Sequence, residues 1–105
     1  MVAPGLIEQV AERIRERFHP EKIILFGSHA RGEARQDSDI DLLIVADTKL
    51  PPRERFPAAS RALAEFPAAF DLILKTPREY RRWRKVLNNI VSFADKYGKV
   101  IYEAA

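Results

Sequence analysis

The chain has 105 residues, 47% hydrophobic and 31% charged, with a formal net charge of +3. That length suits one small domain over residues 1–105 and leaves no room for a second substrate-binding domain. The lack of cysteine excludes disulfides, thiolate metal sites and cysteine nucleophiles, and the mild positive charge permits nucleotides or an acidic partner without demanding nucleic acid.

No segment resembles a secretory leader, since Met1 to Val10 carries Glu8 and no long apolar core. The longest apolar run, Leu42 to Ala46, is far too short to span a bilayer, so a cytoplasmic location is expected.

Pro4 to Phe18 is expected to form the first helix. Leu6, Val10, Ile14 and Phe18 recur at a spacing of four, with Ile7 widening the stripe. Pro4 suits a first helical turn, and His19-Pro20 ends the helix. Lys22 to Phe26 reads as the first strand, broken by Gly27-Ser28, with Ser28 as the cap of a short helical turn. Gly32 to Ser38 is a polar loop. Ile40 to Ala46 is the second strand, apolar on both faces after its start, as a central strand should be.

Asp47 to Pro52 follows as a loop. Arg53 to Phe66 is expected to be helical, with Phe56, Ser60, Leu63 and Ala64 on one side and Pro57 in its first turns. Ala68 to Leu74 is the third strand. Thr76-Pro77-Arg78-Glu79 is a capping box that opens a helix carrying Tyr80, Trp83, Val86 and Leu87. Asn88-Asn89 either breaks or bends it, Ile90 to Tyr97 continues in helical register, and Gly98 caps the end. Val100 to Tyr102 is a short terminal strand. The second strand, crossover helix and third strand make a right-handed βαβ unit. The expected class is α/β (α+β), a small mixed β-sheet with helices packed against it.

Asp39 and Asp41 stand at the head of the second strand. Residues two apart in a strand share a face, with α-carbons roughly 6.7 Å apart. Two such charges repel by about 2–3 kcal/mol at an effective dielectric near 20. That is a noticeable part of a stability of about 5–15 kcal/mol. A divalent cation reverses the sign, and magnesium, which takes oxygen ligands and substrate phosphates together, fits. The alternative is that Asp39 caps the strand and Asp41 meets Arg31 or Arg35. Asp71, within the third strand, either completes a three-carboxylate cluster or pairs with a buried cation. Asp47 ranks lower, because it lies six residues beyond Asp41 at the far end of the strand.

Gly27-Ser28 follows a strand directly. Glycine lets backbone approach a ligand, and a serine hydroxyl with free N–H groups makes an anion site. Arg31, one helical turn on, either reaches a phosphate or holds the loop to an aspartate. His29 reads as a loop residue, since no nucleophile–base pair surrounds it, and His19 as structural.

Gly27-Ser28, ten intervening residues, then Asp39-Ile40-Asp41 resembles the signature of the DNA polymerase beta-like nucleotidyltransferase superfamily. The longer form, Gly27-Ser28-His29-Ala30-Arg31-Gly32 followed by Ser38-Asp39-Ile40-Asp41-Leu42, resembles its minimal nucleotidyltransferases. The resemblance implies a nucleotidyltransferase-like fold and a transferase that moves a nucleoside monophosphate, AMP from ATP or the equivalent from another NTP, to a hydroxyl of a partner. It implies that Asp39, Asp41 and Asp71 bind metal, with Asp71 also helping to deprotonate the attacking hydroxyl. Gly27 and Ser28 hold the nucleotide phosphates. Two magnesium ions, about 3.5–4 Å apart in such sites, clamp the attacking and leaving oxygens. Members pair with a small helical HEPN protein in toxin–antitoxin modules, where the nucleotidyltransferase is the antitoxin.

Arg78 to Lys85 is the densest basic run. It is either a solvated face with Tyr80 and Trp83 packed inward, or a docking surface for an acidic partner or RNA, the nucleic acid being less favoured. Apolar surface around Val86 to Phe93 offers a place for a partner or a homo-oligomer. The rival function is a binding module that keeps the fold and neutralises a toxin by contact alone.

Overall fold

The strand Ile40–Val45 is buried on both faces apart from Asp41, and the other elements are laid around it. A computed structural model describes residues 5–35 and 37–105; Pro4, expected in the first helix, and Gln36, in the polar loop, lie outside the described residues. The elements run α1 (Leu6–Phe18), β1 (Lys22–Phe26), β2 (Ile40–Val45), α2 (Pro52–Ala62), β3 (Phe70–Lys75), α3 (Pro77–Trp83), α4 (Ile90–Tyr97) and β4 (Lys99–Glu103). The strands form one sheet in the order β3-β2-β1-β4. β1 is antiparallel to β2 and to β4, while β2 and β3 are parallel, so the expected mixed sheet and β2-α2-β3 crossover are present.

Strand alternation sends side chains to two separate cores. On one face Ile23, Leu25, Leu42, Ile44, Leu72 and Leu74 pack with Leu6, Val10 and Ile14 of α1 and Ala59 of α2. On the other face Ile24, Phe26, Leu43 and Val45 pack with Tyr80 of α3 and Val91 and Ala94 of α4. Asp41 belongs to the second set by alternation, so its carboxylate lies on the α3/α4 side of the sheet.

Several local expectations shift. The third strand begins at Phe70 rather than Ala68, which puts Asp71 second in β3 instead of mid-strand. The α2 helix stops at Ala62 and buries Arg55, Ala59 and Ala62, while Phe56 remains 51% exposed. The inward face is thus turned from the apolar pattern, because Arg55 is anchored. Its Nε donates to Leu50 O at 3.0 Å and a terminal N–H donates to Glu79 Oε1 at 2.6 Å. Glu79 also closes the capping box with Thr76, as expected. The helix after it breaks outright. Asn88 takes a left-handed φ of 63°, and the Asn89 side chain accepts from the Val91 and Ser92 N–H groups to start α4 afresh. Tyr80 packs inward but Trp83 is 38% exposed. Gly98 is extended rather than left-handed; it is needed for space, since a β-carbon there lies 2.5 Å from Ile24 Cγ2.

Burial pushes the Glu79 carboxyl up, but the Thr76 N–H and the Arg55 guanidinium outweigh it and hold it below the ordinary range. A lowered carboxylate stabilises the fold at pH values above the ordinary glutamate range, and that stability is lost as pH falls through the lowered value. Glu79→Ala is therefore expected to cost about 1–3 kcal/mol at neutral pH, by loss of the cap and the partly buried ion pair. The gap from wild type should narrow on acidification, read by urea unfolding at a series of pH values.

Candidate active site

The sheet register assembles the acidic residues. Parallel pairing of β2 with β3 sets Asp41 directly opposite Asp71, and antiparallel pairing with β1 sets Phe26 on the other side of Asp41. Asp39 lies just ahead of β2. Asp41 is half-buried, whereas Asp39 and Asp71 are exposed. Burial raises the Asp41 carboxyl above the ordinary aspartate range, and the charges of Asp71 and Asp39 raise it further. Asp71 also stands within hydrogen-bonding reach of it, and His29 pulls weakly the other way.

No ion pair among the described residues involves Asp39, Asp41 or Asp71. The arginine alternative is therefore not what the fold adopts. Arg31 pairs instead with Glu33, Nε to Oε1 at 3.1 Å, on the surface, and touches no aspartate. Such an exposed pair is worth little and leaves the guanidinium free to exchange partners. Asp47 is exposed beyond the opposite end of β2, far from the acidic group. The three aspartates do not close on one point: among the described residues no three His, Cys, Asp or Glu side chains form a metal-holding group. The structure brings Asp41 and Asp71 together and leaves Asp39 flanking them, because the ladder holds the first two and not the third.

Gly27 ends β1 against this pair. Its φ of 74° is left-handed, and a β-carbon there would collide with Asp41 Oδ2. Only glycine permits that approach. The turn that follows is closed by Ala30 N and Arg31 N donating to Gly27 O, at 3.2 and 3.3 Å, and by Glu33 N donating to Ser28 O at 2.9 Å. Ser28 follows Gly27 directly and is half-buried in this turn.

His29 has a role that the sequence reading missed. Its Nε2 lies 3.2 Å from the carbonyl of Ser38, the residue before Asp39. The imidazole therefore fastens the Gly-Ser turn to the approach of β2. Nothing in the local pattern signals this, because the contact spans the polar loop.

A divalent cation fits these residues. The donor set is carboxylate oxygen, and no lysine or arginine among the described residues pairs with it. Beside it, a serine hydroxyl and a tight turn suit an anion. The arrangement can hold a cation and a phosphate side by side.

Over 33 residues the chain is 52% identical to the protein adenylyltransferase MntA of Thermococcus cleftensis, covering 31% of this chain and 33% of that protein. Over 27 residues it is 67% identical to a putative protein adenylyltransferase of Methanocaldococcus jannaschii, covering 26% of this chain and 27% of that protein. The match thus spans about a third or less of the length of these curated relatives. Among solved structures, a toxin–antitoxin complex with AMP-PNP aligns with a TM-score of 0.67 at 21% identity, over 92% of this chain and 73% of that one. A complex of a tri-AMPylated HEPN toxin with its MNT antitoxin, from Shewanella oneidensis, aligns with a TM-score of 0.57 at 19% identity, over 94% and 71%. At such identities these two establish the shared fold. A family model described as the nucleotidyltransferase domain matches residues 7–102, a span that includes Gly27, Ser28 and all three aspartates. The resemblance carried by the motif is thereby borne out, and the chain belongs to the nucleotidyltransferase domain family.

Proposed function

We propose that this chain is a magnesium-dependent nucleotidyltransferase that moves AMP from ATP to a hydroxyl of a partner protein, as the antitoxin of a HEPN-type toxin. The observation that carries the reading is the Asp41–Asp71 pair, in no ion pair among the described residues, with Asp41 packed against the bare α-carbon of Gly27. The adenylyltransferase names of the curated relatives support AMP as the group moved. The toxin–antitoxin complexes among the fold relatives support a HEPN partner.

Each side chain then has a task. Asp41 and Asp71, with Asp39 flanking them, would hold magnesium, which would supply positive charge to the triphosphate when bound. The Gly27-Ser28 turn holds the phosphates through backbone N–H groups and the Ser28 hydroxyl. His29 keeps the turn and Asp39 at a fixed separation. Asp71, the more exposed member of the pair, accepts the proton of the acceptor hydroxyl. The oxygen so freed bonds to the α-phosphorus, the bond to the bridging oxygen breaks, and pyrophosphate leaves. The protein's contribution is placement and charge.

Incubation with α-labelled ATP, magnesium and a purified HEPN-type protein tests the reading. Label on the partner, lost with EDTA, is expected; a tight complex that never takes label overturns the enzyme in favour of the binding module. Asp39→Ala and Asp41→Ala are each expected to abolish labelling with the circular-dichroism spectrum unchanged. Gly27→Ala should do the same at a cost in stability of about 1–2 kcal/mol from the left-handed backbone alone, because its methyl group displaces the Asp41 carboxylate.

The raised Asp41 carboxyl gives a further test that needs no partner. Its protonated form is favoured by the fold, so that stability is complete below the ordinary carboxylate range and is lost as pH rises through the raised value. In EDTA, Asp41→Asn should therefore melt above wild type at neutral pH, and the two should converge on acidification. Melting curves across pH check this.

A further inference from the structure

We propose that the outer face of α4 and the α3–α4 connection is a docking surface for an acidic amphipathic helix of a partner protein. Leu87 is 83% exposed, Tyr97 59%, Ile90 46% and Phe93 41%. Ile90, Phe93 and Tyr97 fall on one helical stripe, beside the buried stripe of Val91 and Ala94. With Leu87 they line an open hollow of about 500 Å³. Contiguous apolar surface of this kind marks an interaction site on a soluble domain.

The stripe has no route inward. Asp95, one turn from Val91, accepts from the Tyr80 hydroxyl and from Arg84 Nε, the latter at 3.2 Å. Gly98 is wedged against Ile24 at the other end. The Asp95 bonds pin α4 to α3, and Gly98 holds its end against the sheet. The Phe93 and Tyr97 rings stack on each other with centroids 5.2 Å apart, a preformed aromatic ledge.

Charge selects the occupant. Residues 78–99 hold seven Lys and Arg against two Asp and Glu, a net +5 in a chain whose total is +3. Both acids are already engaged, Glu79 by Arg55 and Asp95 by Arg84. Of the cations that line the hollow, Arg84 is paired with Asp95, and Lys96 is in no ion pair among the described residues. A second copy of this chain would bring the same cationic face against itself, which is repulsive in a two-fold pairing. A nucleic acid would meet the lysines but leave the aliphatic side chains exposed. A helix with an apolar stripe and acidic flanks satisfies both features. The surface also lies on the side of the sheet that carries Asp41, so a partner seated there stands on the same side as the acidic pair.

This inference concerns binding and stands apart from the transferase reading, so its test needs no turnover. The probe is a synthetic helical peptide of about 18 residues, with leucines at heptad spacing and glutamates elsewhere, against the same peptide with lysines. Trp83, the single tryptophan, is 38% exposed and its carbonyl accepts from the Asn89 side chain beside the hollow, so its fluorescence reports occupancy. The acidic peptide should bind the full-length chain and weaken with salt, and Leu87→Glu and Phe93→Glu should each reduce affinity about tenfold or more. Leu87 is so exposed that its substitution leaves folding intact, which a melting curve verifies. No binding of the acidic peptide, equal binding of the lysine peptide, or binding unaffected by Leu87→Glu overturns the proposal. So does a stable wild-type dimer that Phe93→Glu dissociates, which would assign the face to a second copy.

Discussion

Everything at the acidic end of the molecule depends on the parallel pairing of β2 with β3. That register sets Asp41 opposite Asp71 at the end of a sheet whose next rungs, Leu42 with Leu72 and Leu43 with Ile73, are apolar. Two like charges side by side oppose folding, and the fold spends no arginine or lysine to relieve them. The ladder can hold them there because the rungs behind are deeply buried: Ile40, Leu42, Leu43, Ile44 and Val45 are all fully enclosed. Hydrophobic burial of this extent exceeds the cost of one uncompensated carboxylate pair, at roughly 1.5–3 kcal/mol for each large side chain. The acidic pair is thus held in place by the core beneath it.

The two faces of the sheet divide the work. Helices α1 and α2 close one face with an apolar core. The other face carries a smaller cluster under Tyr80, Val91 and Ala94, and it also carries the aspartates. The polar ties are concentrated where helices must be fixed without much core. Arg55 links the start of α2 to the start of α3 through Glu79. Tyr80 and Arg84 link α3 to α4 through Asp95. Lys22 of β1 reaches the Tyr80 hydroxyl at 3.5 Å and so joins this second tie to the sheet. No helix in the described residues is long and apolar enough to cross a membrane.

The turn between β1 and β2 joins these two parts. Gly27 lets the chain pass within contact of Asp41, and His29 holds the far side of the same turn to Ser38. The Gly-Ser bend and the acidic strand are therefore held against each other in spite of the polar loop that separates them in sequence.

How much of this was written in the chain differs by element. The helix stripe of Leu6, Val10 and Ile14, the all-apolar β2, the Thr76–Glu79 capping box and the Gly27-Ser28/Asp39-Asp41 spacing were legible, because each is a local pattern of a few residues. The inward face of α2 was not, since a buried arginine held by Leu50 and Glu79 overrides the apolar pattern that favoured Phe56. Nor was the contact of His29 with Ser38, the wedge at Gly98 or the exposure of Trp83, which depend on how distant segments meet. The sequence by itself determined the local pattern: carboxylates two apart at a strand head, a glycine–serine bend before them. Only the tertiary structure decided that Asp71 lies beside Asp41 while Asp39 stands apart, because strand register is a property of long-range pairing and no local propensity encodes it.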